Sequence, residues 1–510
     1  MQFTETEKLL IATPESPEDT RRLRAAGFFF MRGEGKWSTP FPPVAKTAGF
    51  SKAGSSIARR CQKLRAMSLA ADFEGEFFAP SGLSYLPFQK AAIAYGLEVE
   101  RALISDPMGL GKTIESIGVM NASEKLGRVL VICPASLKIN WSRELLKWLI
   151  HRKTIQIIEP KTKELTGEIL VVNYDIVDRF YPELRSEKFH FLILDECHYL
   201  KNAKAKRSLN VVGGRSKTGK RFDPIPAERV LALTGTPILN RPKEIFNIAR
   251  YLMPEAFPNK EKFLRRYCDL RLVRGRWDDT GASNLDELQA KLRSVFMIRR
   301  EKEMVLKDLP AKRRQLIEIE PEGRLRDKII KEYEAASVKK FNIPFDDVSA
   351  LRRETGLAKV KIAVEFLKNA IEESGKVVAF CHHRDVIEKI AEKIPCVVVR
   401  GDTPLKRRAE NVDLFQRSPE CKLFLGNIEA AGIGITLTAA SRMVFVEGSW
   451  EPGKVSQCED RIHRIGQKNS VLIQHLVWAG SLDSYMTKRV IEKQEVISEA
   501  LDDNEMEFLK

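Results

Sequence analysis

ALISDPMGLGKTIESIG, residues 102–118, is the stretch on which the fold turns. Apolar residues run into a loop with glycines at 109 and 111, and then into a segment of helical spacing. A strand, a Gly-containing loop and a helix start thus come one after another in the order a phosphate-binding loop requires. Gly109 and Gly111 let the backbone curl so that several amides point at one phosphate, Lys112 brings positive charge to the β/γ oxygens, and the Thr113 hydroxyl is placed for Mg2+. Asp106 stands where the general pattern has its first glycine. Taken alone, the loop competes with a chance Gly-rich turn.

Outward from this loop, short β-branched runs recur, each followed by helical periodicity: RVLVICP, EILVVNY, FHFLILDE and RVLALTGT, and later KVVAFC, CVVVRG, CKLFLGN, RMVFVEG and SVLIQHLV. Such alternation specifies parallel sheets covered by helices on both faces, and two sets make two α/β lobes. Between the sets the β-rich runs vanish, and EKFLRRYCDLRLV, NLDELQAKLRSV, LRDKIIKEYEAASVKK and DVSALRRETGLAKVKIAVEFL carry helical spacing. Four parts are therefore expected: an accessory module over 1–78, a first lobe over 79–265, a helical insertion over 266–355 and a second lobe over 356–510. In the accessory module, FFFM and KWST flank the turn-prone RGEGK as a hairpin, and SSIARRCQKLRAMSLAADF has helical character.

The bulk properties narrow the class. With 510 residues, 43% of them hydrophobic and 30% charged, the chain is expected to be globular and to need more than one core. Lys and Arg number 85 against 69 Asp and Glu, a formal charge of +16, which favours a polyanionic partner while leaving a merely solvated basic surface open. The eight cysteines have no close pair that would seed a zinc site or redox couple, and they read as reduced thiols. No signal-peptide pattern opens the chain and no apolar run reaches membrane-spanning length, so a soluble intracellular protein is expected, in cytoplasm or nucleoid for a bacterial or viral source and in the nucleus for a eukaryotic one.

Two further motifs carry chemistry. FHFLILDECHYL runs an apolar strand into Asp195 and Glu196 at its C-terminal end, the edge where parallel sheets bind ligands. Asp195 can hold Mg2+ through water and Glu196 can orient or deprotonate an attacking water; in isolation such a pair is better explained by a solvated helix start, and the upstream phosphate loop reverses that balance. QCEDRIHRIGQ, residues 457–467, sets Arg461 and Arg464 one helical turn apart, as arginine fingers require, or as a surface helix paired to Glu459 and Asp460 would have it. His463 between them reads as structural.

In this order DPMGLGKT, DECH, LTGTP and QCEDRIHRIGQ resemble the Swi/Snf-type ATPases of helicase superfamily two, and the resemblance spans roughly residues 80–490. VICPASLKINWSREL, VVNYDIV, LTGTPILNRPKEIF, MIRREKEMVLKDLPAK, VVAFCHHRDV, GDTPLKRRAENVDLF and AAGIGITLTAASRMVFVEGSWEPG extend it. LNRPKE together with MIRREKEMVLKDLPAK and EDRIHRIGQ is most similar to the distal branch that includes annealing helicases. The resemblance implies an α/β fold of two RecA-like parallel-sheet lobes with helical insertions between them and a small N-terminal accessory module. It implies ATP and Mg2+ as cofactors, with Gln89 at the adenine edge, Asp106, Met108, Gly109, Leu110, Gly111, Lys112 and Thr113 around the phosphates, and Gly432 and Gly434 lining the cleft from the second lobe. Catalysis falls to Lys112, Asp195, Glu196, Arg461 and Arg464, the metal to Thr113 and Asp195, and coupling to Thr234 and Thr236. Lys138, Asn140, Trp141, Thr436 and Trp450 are placed beside DNA, with core packing the competing reading for both tryptophans. Pro107 stands where the family usually has Glu.

The resemblance thus implies a monomeric, DNA-stimulated ATPase translocating on double-stranded or forked DNA, in fork remodelling or strand annealing. The segment 201–221, with eight Lys or Arg and no acid, is expected on phosphates; RLVRGR (271–276) and ARRCQKLR (58–65) are weaker basic clusters. Two rivals stand beside this reading: a strand-separating DExH-type helicase, for which no strand-splitting element is evident, and a non-hydrolysing nucleic-acid scaffold, which five intact charged residues argue against.

Overall fold

Val129–Cys133 and Ile169–Asn173 are buried at every position, and Phe189–Asp195 at every position but His190. Continuous burial, rather than alternation, is what a parallel strand covered on both faces shows. The computed structural model describes residues 2–5, 10–25, 29–31, 36–39, 55–238, 240–273, 275–306, 308–321, 345–431, 434–449, 451–481 and positions 484, 485, 487 and 490. The chain divides into two units, one of Met1–Pro107 and Gly111–Val305, the other of Leu306–Glu495 with the short stretch Met108–Leu110.

The first unit is built on a seven-stranded sheet in the order Met297–Ile298, Arg101–Ile104, Ala227–Leu233, Phe189–Asp195, Val129–Cys133, Ile169–Asn173, Ile155–Ile157. Every pairing in it is parallel. The second unit holds six strands, ordered Lys312–Ile319, Val471–Trp478, Arg442–Phe445, Val377–Cys381, Leu423–Asn427, Val397–Val399, again all parallel. Its faces obey the strand period of two: Val378, Phe380, Phe424, Met443, Phe445 and Ile473 pack on one side, and Val377, Ala379, Cys381, Leu425, Val444 and Leu476 on the other. Two parallel-sheet α/β lobes are thus present, as expected.

The stretch expected to be helical, 266–355, is not uniformly so. Leu285–Val295 is a helix and Phe345–Ser374 another, but Arg271–Val273 and Arg276–Asp278 form a hairpin, Met297–Ile298 joins the first sheet and Lys312–Ile319 the second. The helical segment expected over 325–340 lies outside the described residues. In the N-terminal region the anticipated hairpin pairs Phe29–Met31 with Lys36–Thr39 inside a four-stranded antiparallel sheet, and Ser55–Leu69 is the anticipated helix. Among the described residues no helix is long and apolar enough to cross a membrane.

Candidate nucleotide site

Register places the site. Leu233 is level with Ile104 on one side and with Asp195 on the other, and Ile298 is level with Ile104. Four neighbouring strands therefore end together, and the segments beginning at Ser105, Glu196, Thr234 and Arg299 emerge side by side from the C-terminal edge, where parallel sheets bind ligands.

The loop after Ile104 turns through Gly109 at φ 93° and Gly111 at φ 94°, values in the left-handed region. At Gly111 a side chain would also meet the Gln89 amide nitrogen at 2.6 Å, so this glycine is required twice over. The buried Gln89 is held there by accepting from the Leu86 N–H at 3.0 Å. Lys112 opens the helix Lys112–Asn121 and its ammonium donates to the carbonyls of Asp106 (2.8 Å) and Pro107 (3.2 Å). Burial lowers its pKa, against the pull of Glu196, Glu115, Asp106 and Asp195. Thr113 is partly buried; Met108 and Leu110 are buried.

Asp106 is expected among the nucleotide-binding residues; its carboxylate is fully buried and taken by Arg300, whose backbone N–H donates to Oδ1 at 2.9 Å and whose guanidinium engages both oxygens. Only its carbonyl faces Lys112. Arg300 also donates to the carbonyls of Phe88 and Ala70 and lies 3.4 Å from Glu115. One buried arginine thus ties the residue before Gln89, the entry of the phosphate loop and the helix after it.

Asp195 ends its strand and Glu196 comes next at φ 52°, a left-handed conformation that costs a non-glycine residue roughly 1–2 kcal/mol. The Glu196 carboxylate accepts from the Thr234 hydroxyl at 3.0 Å, and His198 Nδ1 lies 3.1 Å from both groups. Asp195 accepts the indole N–H of Trp141 at 2.7 Å and the N–H of Glu196 at 3.0 Å. Burial first, and the charge on Glu196 second, push its carboxyl up to about 7. Its proton therefore leaves near neutrality, and affinity for a cation at this position is lost as pH falls below that value. Trp141→Phe keeps a buried ring but removes the donor that favours the carboxylate. The acid limb of kcat/KM for ATP should move to higher pH, with a loss of roughly tenfold or more below about pH 7. A uniform loss at every pH in the measured profile would mean that Trp141 only packs.

These groups fit the implied cofactors. Mg2+ beside nucleotide phosphates takes one or two protein ligands, and the site offers the Asp195 carboxylate and the Thr113 hydroxyl. Among the described residues no cluster of three or more His, Cys, Asp or Glu would hold an ion alone.

In the second unit the helix Pro452–Glu459 ends before the two arginines, which lie in the turns beyond it rather than on a shared helical face. The Glu459 carboxylate turns to Lys312 (3.0 Å) and Arg314 (2.6 Å) instead of the arginines on its own segment; burial would raise it, and the two cations hold it down at about 2. The Gln467 amide donates to the carbonyls of Ala440 and Ile462, fixing the turn. Arg461 is buried and Arg464 partly so. His463 lies with Nε2 2.9 Å from the Pro310 carbonyl, a structural place. Gly434 is exposed at φ 74°; Gly432 lies outside the described residues.

The residues expected beside DNA separate. Trp141 is fully buried and bonded to Asp195, and Lys138 is buried with its ammonium on the Ile158 carbonyl at 3.0 Å, so neither offers its side chain to a ligand on the surface. Asn140 is exposed and Thr436 partly buried, while Trp450 lies outside the described residues. The basic segment 201–221 folds as the helix Lys206–Val212 and a hairpin pairing Gly214–Arg215 with Arg221–Phe222. Its first part is internally engaged, Lys201 with Glu244 and Lys206 with Asp178; Arg215, Lys217 and Lys220 at the hairpin are exposed.

Residues 88–343 match the family model of the SNF2-related domain, and residues 358–466 that of the helicase conserved C-terminal domain. The chain is 32% identical over 437 residues to the SWI/SNF-related matrix-associated actin-dependent regulator of chromatin subfamily A-like protein 1 of Xenopus tropicalis, covering 82% of this chain and 45% of that protein. It is likewise 32% identical over 444 residues to the DNA annealing helicase and endonuclease ZRANB3 of Bos taurus, covering 82% of this chain and 40% of that one. The chain thus spans less than half the length of these relatives. A solved Sulfolobus solfataricus SWI2/SNF2 ATPase core in complex with dsDNA aligns at 21% identity over 82% of this chain and 97% of its own, with a TM-score of 0.40.

Proposed function

The chain belongs to the family of SNF2-related, helicase-like proteins, and from that premise we propose that it is an ATP-hydrolysing motor that moves along double-stranded DNA. The observation that carries the proposal is the level ending of neighbouring strands, which gathers Lys112, Asp195, Glu196 and Thr234 at one sheet edge.

In this reading Lys112 neutralises the β/γ oxygens, the loop amides around Gly109 and Gly111 cradle them, and Asp195 with Thr113 orients the cation, which supplies charge stabilisation when bound. Glu196 accepts the proton of the attacking water, and its bond to the Thr234 hydroxyl links that acid to the segment running on to Thr236. Arg461 and Arg464 serve to neutralise charge developing on the γ-phosphate. Gln89 reads the adenine edge. The exposed Arg215, Lys217 and Lys220 supply phosphate contacts, supported by the overall charge of +16. DNA as the track is supported by the relative whose name describes a DNA annealing helicase, and fork remodelling or annealing is the task that relative suggests.

The test is steady-state ATP hydrolysis without nucleic acid, with single-stranded, duplex and forked DNA, and with RNA, at one salt concentration. The expected result is at least roughly tenfold stimulation by duplex or forked DNA, the rate gain that a closing step worth ~1.4 kcal/mol would give. Preference for RNA or single strands would replace the motor reading with strand separation, and absence of turnover on every substrate would replace it with a scaffold.

A further inference from the structure

The segment RLVRGRWDD, 271–279, has no part in nucleotide chemistry and folds as an antiparallel hairpin with Leu272 opposite Trp277 and Val273 opposite Arg276. Gly275 turns it at φ 75° with open space around its Cα. Facing residues of an antiparallel pair share a face, so Leu272 and Trp277 stand together, each 60% exposed, while Val273, at 42%, lies on the opposite face with Arg276. The Arg265 guanidinium lies over the ring, 5.3 Å from its centre, and Arg271 and Arg276 are exposed on the other face of the two strands.

Charge and anchoring point in one direction. From Leu272 to Trp277 the sequence has arginines and no acid. The acids sit at the foot and are engaged: Asp269 with Arg271 at 3.5 Å, Asp278 with the Thr280 N–H at 3.0 Å, Asp279 with Lys243 at 2.5 Å. Lys243 lies in the turn Pro242–Ile245, on the segment that leaves the nucleotide site through Thr234 and Thr236. The foot of the hairpin is therefore tied to the segment that touches Glu196.

We propose that this hairpin reads the junction between duplex and single-stranded DNA, stacking the first unpaired base on Trp277 and Leu272 beside Arg265, while Arg276 on the opposite face of the ribbon holds a flanking phosphate. The proposal rests on the DNA-motor reading and adds to it the DNA structure the motor engages. An exposed indole beside an arginine suits any base, because every base has a π-face, but only an unpaired one can present it. The arginines favour a polyanion over an apolar protein surface.

The experiment uses the full chain, Trp277→Ala and Trp277→Phe, with a DNA fork carrying 2-aminopurine at its first unpaired position, read by fluorescence quenching and affinity. ATP hydrolysis on blunt duplex is measured in parallel. Trp277→Ala should bind the fork roughly 5- to 100-fold more weakly and lose the quenching, Trp277→Phe should retain most of both, and blunt-duplex stimulation should be equal in all three proteins. Fork affinity and quenching unchanged in Trp277→Ala, with duplex stimulation intact, would overturn the proposal and make the face a protein-docking surface. Equal loss on blunt duplex and fork would also overturn it, since the hairpin would not then distinguish unpaired DNA. No stimulation of the parent protein by any DNA would overturn both readings together.

Discussion

Lys112→Ala is expected to reduce ATP hydrolysis by at least roughly 100-fold, the cost of removing one preorganised charge from a phosphoryl-transfer site, while DNA affinity stays near that of the parent. The lysine is the one side chain of the loop whose ammonium reaches the carbonyls of Asp106 and Pro107, where the loop curls through Gly109 and Gly111. Four carboxylates, those of Glu196, Glu115, Asp106 and Asp195, act on it electrostatically. Alanine removes their shared cation, so Asp195, already held near about 7, should become harder to ionise, and added Mg2+ should restore little. Hydrolysis and DNA binding are measured on the same preparation, with far-UV circular dichroism as the folding check. Turnover equal to that of the parent in a folded variant would remove the loop from the active site.

Asp195 and Glu196 are legible in the sequence because they close an apolar run that ends abruptly, an ending that in a parallel sheet is a ligand edge, and Lys112 because it follows a Gly-containing loop between a strand and a helix start. Trp141 is buried rather than beside DNA for a reason the sequence itself holds: Lys138, Trp141, Leu145 and Trp148 recur at helical spacing and form the buried stripe of the helix Lys138–Trp148. That stripe marks 141 as an inward position whatever motif surrounds it. The strand Lys312–Ile319, KRRQLIEI, is hidden by its charges, which an edge strand tolerates and a central one does not. Arg461 and Arg464 read as helical because spacing alone cannot register that the partners of Glu459 are Lys312 and Arg314, remote in sequence. Arg300 is hidden for the same kind of reason. Met297–Ile298 is too short to show a period, and its place beside Arg101–Ile104 comes from a long-range pairing.

That pairing gives Arg300 the second large effect. Arg300→Leu should destabilise the first unit by about 3–5 kcal/mol, because removing one partner of a buried ion pair leaves uncompensated charge; here Asp106 and Glu115, both fully buried, lose their common cation. The sign with pH is set by Glu115, whose pKa is raised well above its ordinary value by burial and by the neighbouring Asp106, with Arg300 opposing. A carboxyl raised in the folded state binds its proton more tightly there than in the unfolded chain, so its contribution is fully present below the unfolded pKa and is lost as pH rises towards the folded one. Losing Arg300 extends that loss. The variant should lie nearest the parent in mildly acidic urea melts and fall away as the buffer becomes alkaline. Adding Asp106→Asn removes one of the stranded charges and should recover part of the deficit, the coupling a double-mutant cycle isolates. The folded fraction of Arg300→Leu should also show a raised KM for ATP, since Arg300 bonds the carbonyl of Phe88, next to Gln89, as well as Asp106 at the loop entry. Equal urea midpoints for variant and parent across the pH range would show that the buried carboxylates are neutral without it, and that the loop holds its shape by backbone curvature alone.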